Sequence, residues 1–179
     1  MRKTQSIAIG GMLTALAAVI MLVSNLVPSG MYTFPAAAGI IVYIISVCSG
    51  RSYSWVSFVV LSVLSMILCA DKQAPLCFIL FLGYYPLIKE LLETIRLKIV
   101  VYILKVLIFN TAAAAVYLLL KFVFLVPDEE YVIFGVNLPL VFLLLLNIIF
   151  LLYDFALTLF FKKYKKKIYE IVTKFNKKF

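Results

Sequence analysis

Histidine is absent from the 179 residues, and only eight residues are acidic. Without histidine there is no histidine-based metal site, no imidazole general base and no Cys/His zinc cluster. A Gly-x4-Gly-Lys-Ser/Thr loop is also missing, so nothing in the chain points to ATP hydrolysis, and any energy must come from a partner. The three cysteines lie in or near apolar segments. Cys69 and Cys77 flank one short loop, where they either pair on an oxidising side or stay buried and inert. No inverted repeat of the kind built into many secondary transporters is visible. These gaps leave an enzyme with few players: no catalytic residue, cofactor or metal is expected.

What the chain has instead is apolar length. Hydrophobic residues make up 65% of it and the mean hydropathy is +1.13. About 20 apolar residues at 1.5 Å rise cross the hydrocarbon core as a helix, which also satisfies its own backbone polar groups. Six such segments are expected, over about 7–27, 34–48, 53–69, 76–93, 99–126 and 137–161, followed by a basic tail over 162–179. The first segment lacks a small-x-small cleavage pattern before Pro28 and reads as a retained helix. Nearly the whole chain is needed for the spans, which leaves a single all-α membrane domain, a compact six-helix bundle.

Charge assigns the sides. With the N-terminus inside, the inner gaps hold Arg2, Lys3, Arg51, Lys89, Arg96, Lys98 and the C-terminal lysines, 14 of the 17 basic residues. The outer gaps hold Lys72 and collect Asp71, Asp128, Glu129 and Glu130. Both termini are therefore expected in the cytoplasm. The lysine cluster after Phe161 reads as a stop and a lipid anchor, not a nucleic-acid surface. Trp55 and Tyr53, Tyr84, Tyr85 and Tyr164 fall near inner boundaries and fit an aromatic belt.

Polar residues within spans are functional suspects. Lys105 and Asp154 count to similar depth from the inner boundary, so antiparallel neighbours would pair them. Asn110 and Asn147 fall near mid-membrane on the same two helices. An inter-helix network, independent snorkelling and a proton or ion relay all fit these positions. In the first helix Ala8, Gly11, Ala15 and Ala18 form one smooth face suited to close approach by another helix, of this chain or of another subunit. Outside, Asp71, Lys72 and Gln73, with Asn25, Tyr117 and Lys121, are candidates to bind a small polar ligand; a solvated turn with a self-compensating Asp–Lys pair is the alternative. At Gly83-Tyr84-Tyr85-Pro86 a kink is expected, because Pro86 has no N–H for the Leu82 carbonyl.

A compact six-helix chain of this length, with cytoplasmic termini and a small-residue face on helix one, resembles the substrate-binding (S) components of energy-coupling factor transporters. Asp71-Lys72-Gln73-Ala74 through Gly83-Tyr84-Tyr85-Pro86-Leu87-Ile88-Lys89, Lys105-x4-Asn110 and Asn147-x5-Tyr153-Asp154 are similar to S-component-like membrane proteins of low-GC Gram-positive bacteria. The resemblance implies a bacterial plasma-membrane subunit that captures a vitamin or comparable micronutrient. It also implies docking through helix one onto a membrane coupling subunit driven by cytoplasmic ATPases, followed by toppling to release substrate inside. Gly11, Ala15 and Ala18 would then be the docking face; the family's Ala-x-x-x-Ala appears here as Gly11-x-x-x-Ala15 and Thr14-x-x-x-Ala18. A second class gives the same topology: non-transporting scaffolds of the rod-shape-determining membrane protein D type.

Overall fold

The structure, a computed structural model, describes residues 3–27, 30, 32–122, 132–133, 136–137 and 139–177. Its helices are α1 (Lys3–Val23), α2 (Thr33–Ser49), α3 (Arg51–Leu68), α4 (Gln73–Cys77), α5 (Tyr85–Leu92), α6 (Lys98–Phe122) and α7 (Pro139–Lys177). A π-helical turn, Phe78–Leu82, joins α4 towards α5, so that Gln73–Leu92 forms one interrupted span. Among the described residues, five spans reach the length and apolarity a membrane requires; α2, at 17 residues, is apolar but shorter. The outward faces of α1, α3, α6 and α7 carry exposed Leu, Ile, Val and Phe, as a lipid-facing surface should.

The boundaries differ from expectation in instructive places. α1 begins four residues earlier than Ile7, and after Val23 its last turn tightens: the Ser24, Asn25 and Leu26 amides each donate three residues back. The expected tail from Lys162 onwards continues α7 as helix to Lys177, with no Gly or Pro after Pro139 to stop it. At about 1.5 Å per residue, the stretch beyond Phe161 adds roughly 24 Å of helix. Ahead of α7, Val132–Ile133 pairs antiparallel with Val136–Asn137, a two-residue ladder that the all-helical expectation lacked. The expected end of the fifth span at Val126 and the acidic Asp128, Glu129 and Glu130 lie outside the described residues.

α1, α2 and α3 form one packed unit. α1 turns Ser6, Gly10, Thr14, Ala17 and Met21 inward, and α3 turns Ser54, Ser57, Leu61 and Ser65. Small and hydroxylated residues let membrane helices approach closely. Thr14 and Ser57 share a hydrogen bond of 2.9 Å across this seam, and Ser54 donates to the Val42 carbonyl at 2.7 Å. Gly50 joins α2 to α3 at φ 103°, a left-handed conformation that glycine adopts without strain.

The expected kink is present, and its partner is visible. The Gly83 amide bonds to Phe78 O at 2.8 Å, five residues back, and two turn residues precede α5. Pro86 has no N–H for the Leu82 carbonyl, and Gly39 of α2 packs its backbone against that oxygen. A Cβ at Gly39 would overlap it. The kink therefore fits a small-residue notch in α2 and sets the direction in which α5 leaves.

Candidate functional site

α5, α6 and α7 converge on a buried ion cluster. α6 and α7 run antiparallel: Lys105 meets Asp154, Phe109 stacks on Phe150, and Asn110 meets Asn147, one index rising as the other falls. Lys105 Nζ lies 3.0 Å from Asp154 Oδ2 and 3.1 Å from Oδ1. Thus the inter-helix network suggested by depth alone forms, and neither charge snorkels away. The Asn110 and Asn147 side chains exchange two hydrogen bonds, of 3.2 and 2.9 Å, and each also bonds the carbonyl four residues earlier on its own helix.

α5 adds three groups to this pair. Lys89, assigned by its charged neighbours to an inner gap, is fully buried and bonds both the carboxylate and the backbone carbonyl of Asp154. Tyr85, assigned to an aromatic belt, is equally buried and donates to Asp154 Oδ1 at 2.6 Å. Glu93 Oε1 lies 3.0 Å from Lys89 Nζ and 3.1 Å from Lys105 Nζ. Tyr85, Lys89 and Glu93 are spaced four apart, so one face of a short helix presents all three. That spacing was the available signal in the sequence. It was obscured because Glu90, Arg96 and Lys98 follow closely and made Lys89 count with the charges of the inner boundary.

The cluster is balanced, with two ammonium groups against two carboxylates. Removing ions from water costs several kcal/mol each unless partners and hydrogen bonds replace the solvent. Here Asp154 receives Lys89, Lys105 and Tyr85, while Thr158 takes its backbone carbonyl at 2.9 Å. Towards the Asn110–Asn147 level, Phe81, Tyr85, Phe109 and Phe150 pack ring to ring at 4.6–5.6 Å and keep water from that side. The Tyr153 and Tyr43 hydroxyls are buried without a hydrogen-bond partner among the described residues. Among those residues, no three His, Cys, Asp or Glu side chains gather to hold a metal ion.

The other candidates lie at the opposite end of the Gln73–Leu92 span. Asp71 Oδ1 accepts from the Gln73 amide at 2.9 Å, and Asn25 Oδ1 accepts from the Ala70 amide at 3.2 Å. Lys72 Nζ donates to Met66 O and Cys69 O, at 2.9 and 2.7 Å, and so caps the last carbonyls of α3. The self-compensating Asp71–Lys72 pair gives way to these backbone bonds. Tyr117 is half-buried on α6, and the Lys121 side chain lies outside the described residues. The cysteines are free thiols, and Cys69 sits 3.4 Å from Met21 O.

Gly11 and Ala15 are exposed on α1, with Ala18 half-buried beside them, whereas the bundle uses the neighbouring stripe Gly10, Thr14 and Ala17. A Cβ at Gly11 would meet nothing within 4 Å. On the lipid side of α6, an open concavity of about 710 Å³ is lined by residues from Tyr102 to Ala114 of that helix. No family model, curated protein or solved structure matches the chain.

Proposed function

We propose that the chain is a membrane subunit acting by lateral docking, and specifically the substrate-capture subunit of an energy-coupling-factor-type importer in a bacterial plasma membrane. Both termini face the cytoplasm in this reading. The observation that carries it is the smooth face of α1: Gly11 and Ala15 stand exposed while the bundle packs on Gly10, Thr14 and Ala17. A small-residue face left open by its own bundle admits another helix at close range. A coupling subunit is the occupant, cytoplasmic ATPases supply the energy, and the ligand, a small micronutrient, enters near Asn25, Asp71, Lys72, Gln73, Tyr117 and Lys121.

The scaffold reading is favoured by a different observation. Asn25, Asp71 and Lys72 already bond backbone groups of the chain, which satisfies this corner without a ligand. Purification from the native host in mild detergent, with mass spectrometry of retained proteins and metabolites, separates the two. Coupling and ATPase subunits retained with a metabolite by the wild type, but not by Gly11→Leu, support capture and docking. Cell-wall enzymes in their place support the scaffold, and retention unaffected by Gly11→Leu removes α1 as the docking face.

A further inference from the structure

The four charges of the ion cluster are not held equally. Lys89 and Lys105 are 0% and 4% exposed and Asp154 is 6% exposed, whereas the Glu93 side chain is 40% exposed. Glu93 stands at the end of α5, one residue past Leu92. One of its two carboxylate oxygens, Oε1, lies between the two ammonium groups, at 3.0 and 3.1 Å. Asp154 already neutralises one of the two lysines, so Glu93 supplies one remaining negative charge from the accessible side. That position is what an anionic oxygen of any compact ligand would take. Lysine is suited to it, since a compact ammonium binds phosphate as a point charge.

The approach is also basic. Arg96 and Lys98 are exposed just after Glu93, and Lys162 and Lys163 are exposed on α7 about two turns beyond Asp154. Such a rim raises the local concentration of anions. Basic pockets between transmembrane helices on the positively charged side are where phosphate-bearing headgroups bind. We infer that Lys89 and Lys105 form a phosphate-binding site between α5, α6 and α7 that Glu93 occupies as an internal stand-in, the phosphate belonging to an anionic lipid headgroup or free in solution. A phosphodiester carries one negative charge, so exchange for Glu93 keeps the buried balance. The inference does not depend on transport or on docking through α1.

The test uses full-length protein in phosphatidylcholine nanodiscs doped with phosphatidylglycerol, with native mass spectrometry counting retained lipids. In parallel, melting is followed with added inorganic phosphate against chloride at equal ionic strength. Glu93→Gln vacates the position, and Glu90→Gln makes the same charge change three residues earlier. The gain expected for Glu93→Gln is on the order of fivefold in phosphatidylglycerol retention, about what a half-exposed ion pair is worth as a competitor. Adding Lys105→Met should abolish that gain. Lipid retention without a phosphate-induced melting shift assigns the headgroup as the source; the reverse assigns soluble phosphate. No gain of either kind in Glu93→Gln, an equal gain in Glu90→Gln, or a gain that survives Lys105→Met overturns the site. Should the double variant not fold, the contrast between Glu93→Gln and Glu90→Gln decides.

Discussion

At one end of the Gln73–Leu92 span, Lys89, Lys105 and Asp154 come from three helices and bond mainly to one another; at the other, Asp71 and Lys72 bond nearby backbone, and Asn25 accepts from the backbone amide of Ala70. The residue types are nearly the same, and the difference lies in what else can satisfy them. Within the apolar layer a lysine has no water, so Lys89 and Lys105 depend on a group brought from far along the chain, chiefly the Asp154 carboxylate. Near a span's end the last carbonyls of α3 lack helical partners, and a lysine three residues on can cap them. The first cluster therefore ties helices together, and the second finishes the ends of elements.

Breaking the first cluster should have the largest effect. Asp154→Leu leaves Lys89 and Lys105 buried with only the half-exposed Glu93, and removing one partner of a buried ion pair costs about 3–5 kcal/mol. The loss should appear as a lower melting temperature in detergent. Adding Lys105→Met should recover part of it, because one stranded charge disappears and Lys89 keeps Glu93. Strictly additive effects would show that the two residues do not act as a unit.

How the cluster is aimed can be tested next. α5 carries Tyr85, Lys89 and Glu93, and its direction depends on the kink seated against Gly39. Gly39→Ala places a Cβ against the Leu82 carbonyl, which is backbone and cannot rotate away, so a loss of about 1–3 kcal/mol is expected by the same melting assay. Gly11→Ala serves as the contrast: its Cβ meets nothing, and stability should hold or rise.

These contrasts show what the sequence could and could not reveal. Lys105, Asp154, Asn110 and Asn147 were legible because each interrupts an apolar run, and counting residues from a boundary gives depth. Lys89 was not, because it stands near the end of its segment with Glu90, Glu93 and Arg96 following, and so counted as an inner-boundary charge; only the burial of α5 separates it from Glu90 and Arg96. The two small stripes of α1 were equally smooth in sequence. Packing against α2 and α3 chose Gly10, Thr14 and Ala17 and left Gly11 and Ala15 outside. The bonds of Asp71 and Lys72 to nearby backbone depend on turn geometry that hydropathy does not encode, and that of Asn25 to Ala70 on how the ends of α1 and α3 meet.

A smaller effect is expected at mid-membrane. Asn147→Leu removes both side-chain bonds to Asn110, and hydrogen bonds between membrane helices average about 0.6 kcal/mol and reach about 1.7. A loss inside that range, measured by denaturant titration in mixed micelles, would rank the asparagine pair below the ion cluster. A loss as large as that of Asp154→Leu would show that the seam is held at mid-membrane instead.

The smallest effect separates structure from function at the opposite end. Lys72→Met keeps the side-chain length but removes the ammonium that caps Met66 O and Cys69 O, and a cation at a helix C-terminus is worth about 0.3–1 kcal/mol. A drop of that size with unchanged uptake of every candidate micronutrient identifies Lys72 as a cap alone and weakens the proposed ligand site. A drop of that size with uptake abolished requires Lys72 to meet a ligand as well. The ammonium carries three N–H donors and spends two on Met66 O and Cys69 O, so a ligand that takes more than the third must draw it from an α3 carbonyl, and substrate should then loosen the Cys69 corner. Alkylation of the Cys69 thiol, which is 1% exposed beside that cap, should then speed up with substrate in the wild type. In Lys72→Met the rate should be high from the start and indifferent to substrate.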